Sequence, residues 1–176
     1  MTAIVDAFLV WWLRNGRYGW SRLRRKIFEW GYLKIPLPEA NSLGEIEACL
    51  KQVKWTMDGP LHLFDSISYP QATWAKKKDD CDGFATLACE LLTRLDISFN
   101  PLLVTAMMHP VRKSHTVCVF TSPDGGLSFF NNGMLRDDCV TYFQVVEIIS
   151  RDSDRLICWD MRRHNDFALV EFHIQA

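Results

Sequence analysis

The chain contains 176 residues, of which 48% are hydrophobic and 23% charged, and its net charge is -1, an ordinary composition for one compact domain. Its best apolar stretch, residues 4–13, contains Asp6 and is far shorter than the roughly 20 apolar residues of a membrane-spanning helix. Basic residues follow this stretch instead of preceding it, unlike the order in a secretory signal, so we expect a cytoplasmic protein.

The spacing of cysteine and histidine argues against a metal site. The six cysteines include no pair at the two-residue gap of a zinc ribbon or a redox motif, and the five histidines show no short-range pairing. A disulfide framework is not expected in a chain of this size without a secretory signal. We therefore predict reduced thiols, no bound metal and no cofactor.

The first 35 residues differ from the rest in charge. They contain seven basic and two acidic residues, a net charge of +5, and they are rich in Trp and Tyr, whereas the remainder has a net charge of -6. We therefore predict a basic aromatic helical arm over residues 1–38, closed off by Pro36 and Pro38. Residues 39–176 then form the core.

Arginines interleaved with aromatic rings in residues 1–35 suggest two possible partners for the arm. Cations neutralise phosphates while rings stack on bases or sit at a lipid interface, so nucleic acid or an anionic membrane surface would fit. We favour a simpler interpretation, in which the tryptophans pack on the core and the arginines face water. Contact with nucleic acid or a membrane is the alternative.

Hydrophobic spacing predicts three helices in the first third of the chain, at 3–14, 21–30 and 43–54. Gly16 and Gly19 are expected to break the first helix from the second. Ser42 and Glu45 have the spacing of a capping box and should begin the third. The irregular pattern over residues 57–78 predicts a long loop, and loops of this length often border a functional site.

The clearest helix has apolar residues at i, i+3, i+4, i+7, i+8 and i+11, namely Phe84, Leu87, Ala88, Leu91, Leu92 and Leu95. Strands are predicted at 102–106, 116–120, 127–130, 156–161 and 168–174, with a helix at 140–149. Turn formers at 121–125 indicate that the second and third strands form a hairpin. Because helices come first and strands mostly later, we predict an α+β domain with an antiparallel sheet.

Cys81 lies three residues before Phe84, which places it on the buried side at the start of this helix. A helix N-terminus presents unpaired N–H groups and a partial positive charge, and both favour thiolate over thiol. The flanking aspartates, among them Asp82, oppose this effect, so a positive group is needed to compensate. These features predict that Cys81 is a nucleophile, whereas the other five cysteines are interpreted as core residues.

His115 begins a strand and supplies the candidate base. If the hairpin pairs Val119 with Leu127 and Val117 with Phe129, His115 stands opposite Asn131. The Asn131 oxygen can then accept a hydrogen bond from the imidazole. A register shifted by one residue would select Asn132 instead.

These three residues together indicate thiol-dependent acyl transfer. His115 takes the thiol proton of Cys81, Asn131 fixes the imidazole, and the thiolate attacks a carbonyl. The backbone N–H of Cys81 and one upstream donor would stabilise the oxyanion. Trp74 and Gln71 are the candidates for that donor, and the sequence identifies no residues that bind the rest of a substrate.

Residues 80–85 (DCDGFA) resemble the nucleophile motif of bacterial transglutaminase-like cysteine peptidases. Residues 114–117 (SHTV) and 129–132 (FFNN) resemble the histidine strand of that family and its next strand, which ends in an aspartate. The resemblance covers about residues 70–135. The chain departs from the family at Asp79, where glycine is typical, and at Asn131, although papain-like enzymes use asparagine in that role.

The resemblance implies a papain- or transglutaminase-like core, with the nucleophile helix packed on an antiparallel sheet. It also implies a cysteine peptidase or amidase that acts on a protein or peptide. One alternative is the same fold without catalysis, acting as a binding or interaction module. A second is a cell-wall peptidase of the NlpC/P60 type, whose motif is similar but whose gap to the histidine is longer.

Overall fold

The computed structural model describes residues 2–57, 66–122 and 125–175. These residues form a mixed fold of helices and a six-stranded antiparallel sheet, compatible with the predicted α+β class. The α-helices are Thr2–Trp11 (α1), Arg17–Arg24 (α2), Leu43–Leu50 (α3), Pro70–Lys76 (α4), Cys81–Leu95 (α5) and Tyr142–Ser150 (α6). The strands are Lys54–Trp55 (β1), Lys78–Asp79 (β2), Leu102–His109 (β3), His115–Thr121 (β4), Leu127–Asn131 (β5), Met134–Cys139 (β6), Arg155–Arg163 (β7) and Leu169–Ile174 (β8).

The large sheet has the strand order β6-β5-β4-β3-β7-β8, and the short strands β1 and β2 pair in parallel apart from it. Helix α5 packs on the sheet face that contains Cys118 and Phe120. Helix α6 covers the opposite face, which contains Val117 and Val119. Since both faces are covered, the middle of β4 is continuously buried.

The hairpin of β4 and β5 differs in register from the prediction. Val119 pairs with Phe129 and not with Leu127, a shift of two residues. Side chains in a strand alternate with a period of two, so this shift leaves each side chain on its predicted face. His115 and Asn131 are therefore diagonal rather than directly opposed neighbours, a separation that long side chains can still span.

Besides the two-residue strands β1 and β2, the sequence prediction missed two longer elements. The segment predicted as a loop contains α4, which begins with Pro70 in its first turn, where a missing N–H is harmless. The other is the edge strand β6, which follows β5 after the two residues Asn132 and Gly133. Residues 58–65 of the predicted loop, and residues 123 and 124 of the predicted turn, lie outside the described ranges.

The start of α3 is confirmed, although that helix ends at Leu50, four residues before its predicted end. Ser42 is the N-cap, and its Oγ accepts a hydrogen bond from the Glu45 N–H at 3.2 Å. The Glu45 carboxylate accepts from the N–H of Asn41 at 2.8 Å, one residue earlier than a standard capping box requires. The first of these bonds satisfies one of the N–H donors that the helix itself leaves unpaired.

The arm is one continuous helical segment, not two helices broken at Gly16 and Gly19. The backbone of Gly16 stays helical, with φ -85° and ψ -54°. Wider π-helical turns occur at Trp12–Gly16 and Arg25–Glu29, and a 3-10 turn at Trp30–Lys34 follows. Gly16 is thus accommodated by a local change in helical winding, whereas Gly19 lies within the regular helix α2. Among the described helices, none has both the length and the apolarity that crossing a bilayer requires.

The expected orientation of the arm is wrong for several side chains. Arg17 and Arg25 are buried, whereas Trp11, Trp20 and Trp30 are exposed. The arm nevertheless joins the main hydrophobic core, to which it contributes an apolar row, Leu9, Trp12, Leu13 and Tyr18. Buried arginines need partners because an unpaired charge is costly away from water. Arg17 pairs with Asp82 at the candidate site, whereas Arg25 donates to the carbonyls of Ile67 and Ser68.

Candidate functional site

Cys81 is the first residue of α5, as the sequence predicts. Asp80 is the N-cap, and its Oδ1 accepts a hydrogen bond from the Asp82 N–H at 3.0 Å. The positive end of the helix therefore lies at the Cys81 backbone. All six cysteines lie in the described residues, and Cys81 is the only one that is not buried. It is therefore the most solvent-exposed of the six cysteines.

Cys81 and His115 line the same cavity, which has a volume of about 30 Å³. Arg17, Thr105 and Thr116 also line it. The structure thus brings the predicted nucleophile and the predicted base to one space at the end of the sheet. The volume is enough for about two water molecules.

His115 is oriented by Asn131. The two side chains are joined by a hydrogen bond of 2.8 Å between His115 Nε2 and Asn131 Oδ1. Because the amide oxygen only accepts, Nε2 carries the proton, and Nδ1 of the neutral ring is left as an acceptor. Burial lowers the pKa of His115, and the Asn131 bond and the negative charge of Asp82 oppose that shift without cancelling it. The imidazole is therefore neutral at neutral pH, as a general base must be.

Replacing Asn131 with alanine should slow the alkylation of Cys81 by iodoacetamide by about tenfold, because the ring loses its orienting partner. The matched control is Asn132→Gly at the adjacent asparagine. Asn132 has a φ of 51°, and glycine adopts such an angle without strain. The measurement is the second-order labelling rate at neutral pH. Equal slowing in both variants would show that the hairpin turn matters and not the Asn131 bond.

Arg17 of the arm forms an ion pair with Asp82, next to Cys81, and both side chains are almost fully buried. The same guanidinium lies 3.3 Å from Thr105 Oγ1 and 3.4 Å from Thr116 Oγ1. A carboxylate beside a thiol disfavours the thiolate, and a guanidinium offsets that effect. Arg17 therefore neutralises Asp82, which leaves His115 available for proton transfer.

A buried polar network continues from Arg17 into the sheet. Tyr18 donates a hydrogen bond of 2.9 Å to Asp160, and Arg162 donates one of 2.7 Å to the same carboxylate. Burial raises the pKa of Asp160 to about 6 although both donors lower it. Arg162 also bonds the Arg14 carbonyl of the arm at 3.0 Å. The arm is thus fixed to β7 at two successive turns, which positions Arg17 at the cavity.

Asp79 turns away from the cavity. Its Oδ2 accepts a hydrogen bond of 2.6 Å from Thr73 Oγ1, and its Oδ1 accepts one of 3.0 Å from the Asp80 N–H. The side chain lies against Gly83, where it occupies the position that a Cβ would take. Asp79 is therefore a structural link between α4 and α5.

The structure does not bring either candidate oxyanion donor to the cavity. Gln71 and Trp74 both lie on α4, and neither is among the residues that line the space beside Cys81. The Trp74 ring instead carries the Lys77 ammonium, 2.6 Å from its centroid. Of the predicted donors, the backbone N–H of Cys81 is the one that the helix places at the site.

The ligand atoms of Asp80, Cys81 and Asp82 lie within 4.8 Å of one another, a spacing that a metal ion could bridge. Two of the three already bind protein groups, however. Asp80 caps α5, and Asp82 pairs with Arg17. The geometry therefore fits a helix terminus with a neutralised carboxylate, and it supplies no argument for a metal.

Sequence reasoning missed the contribution of Arg17 and Trp12, which both line the cavity from the arm. The sequence contained a signal for Arg17, because the three aspartates around Cys81 required a nearby cation and the arm carried an excess of them. Nothing in the spacing indicated which arginine would be used. The chain matches no model of a known protein family and no curated protein, so any functional assignment depends on the geometry of this site.

Proposed function

We propose that the chain is a thiol-dependent acyl-transfer hydrolase, a cysteine peptidase or amidase acting on protein or peptide substrates. Cys81 is the nucleophile, His115 the base and Asn131 the residue that orients the base. The observation that carries the proposal is the 2.8 Å bond between His115 and Asn131, beside the one cysteine that is not buried. A papain- or transglutaminase-like core and a cytoplasmic setting, which keeps thiols reduced, belong to the same proposal.

The proposed reaction begins with transfer of the Cys81 proton from Sγ to Nδ1 of His115. The thiolate attacks the substrate carbonyl carbon, and the resulting oxyanion is stabilised by the backbone N–H of Cys81 at the start of α5. His115 then returns its proton to the leaving amine, and the acyl group stays on sulfur. Water, deprotonated by His115, attacks the thioester and releases the acid and the free thiol.

Replacing His115 with glutamine should slow the iodoacetamide labelling of Cys81 at neutral pH by at least tenfold, because the thiol loses its proton acceptor. Exposure alone also favours labelling of Cys81 over the other cysteines, so the effect of His115 is the informative result. His173→Gln is the matched control, since His173 is an exposed histidine on β8. Its rate should equal that of the wild type.

The pH dependence gives the same test a second readout. Because burial lowers the pKa of His115, the labelling rate should hold as pH falls through 6.5, the ordinary histidine value, and decline only when the ring is protonated at lower pH. His115→Gln should remove this decline of the labelling rate at low pH. A wild-type rate that matches an ordinary thiol and does not depend on His115 would reject the catalytic assignment.

A second candidate is a binding module of the same fold without catalysis. The small cavity favours it, since about 30 Å³ holds water but no peptide side chain. For catalysis, a substrate would have to reach Cys81 from the open side of the cavity or displace one of its walls. Cleavage of a fluorogenic peptide or amide library that is lost in Cys81→Ala distinguishes the two candidates. Tight peptide binding without turnover, and without rapid labelling, supports the module.

A further inference from the structure

Between residues 17 and 30, the helical arm buries a polar side and exposes an apolar side. Its buried row is polar and follows the i, i+4 spacing of one helix face, with Arg17, Ser21, Arg25 and Glu29. Each of these side chains has a partner in the core. Arg25 Nε donates to the Ile67 carbonyl at 2.8 Å, and Glu29 accepts from the Tyr69 N–H at 2.8 Å. The core therefore holds the arm by its polar side.

The apolar side of the arm faces outward. Trp20, Leu23, Ile27 and Trp30 recur at i, i+3, i+7 and i+10, and all are exposed. A second row, Ile4, Phe8 and Trp11, is also exposed, and Ile4 has 78% of its surface accessible. Contiguous apolar rows of this kind on a protein surface mark a site of interaction.

The charges along the same surface are positive. Lys26 and Lys34 are exposed, within a segment whose net charge is +5. Arg14 and Arg22 are exposed as well, but their guanidinium groups lie over the rings of Phe172 and Phe167. The two acidic residues of the segment do not offset them at the surface, because Glu29 is buried and Asp6 is paired with Arg155 at 2.6 Å. The outer face of the arm thus combines apolar rows with unneutralised cations, which complements an anionic lipid surface.

We propose that the outer face of the arm docks on an anionic membrane surface, with Leu23 and Ile27 among the residues that enter the lipid interface. The aliphatic members of both rows favour lipid over nucleic acid, because bases can stack on the exposed tryptophans but gain nothing from Ile4, Leu23 and Ile27. A symmetric pairing of two copies would set the same lysines against each other. This inference is independent of the proposed catalytic function, since it uses a different face of the arm from the one that carries Arg17.

The test is sedimentation of the full chain with vesicles. The wild type should bind vesicles of phosphatidylglycerol and phosphatidylcholine in equal parts, and should not bind vesicles of phosphatidylcholine alone. Leu23→Gln combined with Ile27→Gln should weaken binding by on the order of a hundredfold. Lys26→Gln combined with Lys34→Gln should weaken it by on the order of tenfold, and added salt should weaken the wild type.

The matched control combines Ile97→Gln and Val140→Gln, which change two apolar residues outside the arm that are more exposed than Leu23 and Ile27. Its binding should equal that of the wild type. The proposal is overturned if the control substitutions weaken vesicle binding as much as the arm substitutions do, or if the wild type does not bind anionic vesicles. It is also overturned if the arm variant instead abolishes a dimer seen in sedimentation velocity, or abolishes binding of a single-stranded oligonucleotide.

Discussion

Replacing Arg17 with methionine should lower the free energy of unfolding by about 3–5 kcal/mol, because it leaves the buried Asp82 carboxylate without its cation. Asp82 is fully buried, and Arg17 is 5% exposed. The same guanidinium also lies within hydrogen-bond distance of Thr105 and Thr116, which would lose a polar neighbour. Methionine preserves most of the side-chain volume, so the loss reports on charge and hydrogen bonding. Urea denaturation monitored by tryptophan fluorescence measures the change in the free energy of unfolding.

The control for this prediction removes both charges. Arg17→Met combined with Asp82→Asn should recover much of the lost stability, since no uncompensated carboxylate then remains. Arg14→Met, at an exposed arginine of the same arm, should change stability by about 1 kcal/mol or less. A double variant no more stable than Arg17→Met alone would show that the ion pair is not the cause. An equal loss of stability in Arg14→Met would lead to the same conclusion.

Much of the fold was predictable because its elements have strong local signals. The stripe of leucines gave α5, and turn formers located the hairpin of β4 and β5. The hairpin register was wrong by two residues because both faces of the sheet are buried. Val117 and Val119 pack under α6, while Cys118 and Phe120 pack under α5. With apolar residues on both faces, the hydrophobic pattern does not select one alignment over another.

The candidate site was predictable in part, for a related reason. Cys81, His115 and Asn131 sit at element boundaries, and their relative positions follow from a helix start and one hairpin. Arg17 reaches the site over 65 residues of sequence, through contacts between the arm and the core. Hydrophobic periodicity within one helix or strand does not predict a contact over this separation. The binary pattern even predicted the opposite exposure, since a buried arginine is uncommon unless it is paired.

Replacing Gly83 with alanine should lower the free energy of unfolding by about 3 kcal/mol, although alanine normally stabilises a helix interior by about 1 kcal/mol relative to glycine. A Cβ at Gly83 would overlap the side chain of Asp79. Asp79 is buried and fixed by Thr73 and by the Asp80 N–H, so it can move only by giving up these bonds. The cost of overpacking and the lost hydrogen bonds outweigh the gain in helix propensity.

Gly19→Ala provides the matched control, because Gly19 is also inside a helix and no atom lies within 4 Å of the position of its Cβ. This variant should gain up to about 1 kcal/mol, so the two substitutions should change stability in opposite directions. Gly83→Ala should also slow the labelling of Cys81, since displacing Asp79 shifts the turn that starts α5. Stabilisation by both variants would mean that Asp79 adapts freely. It would also mean that Gly83 is not required to place the Cys81 thiol at the start of α5.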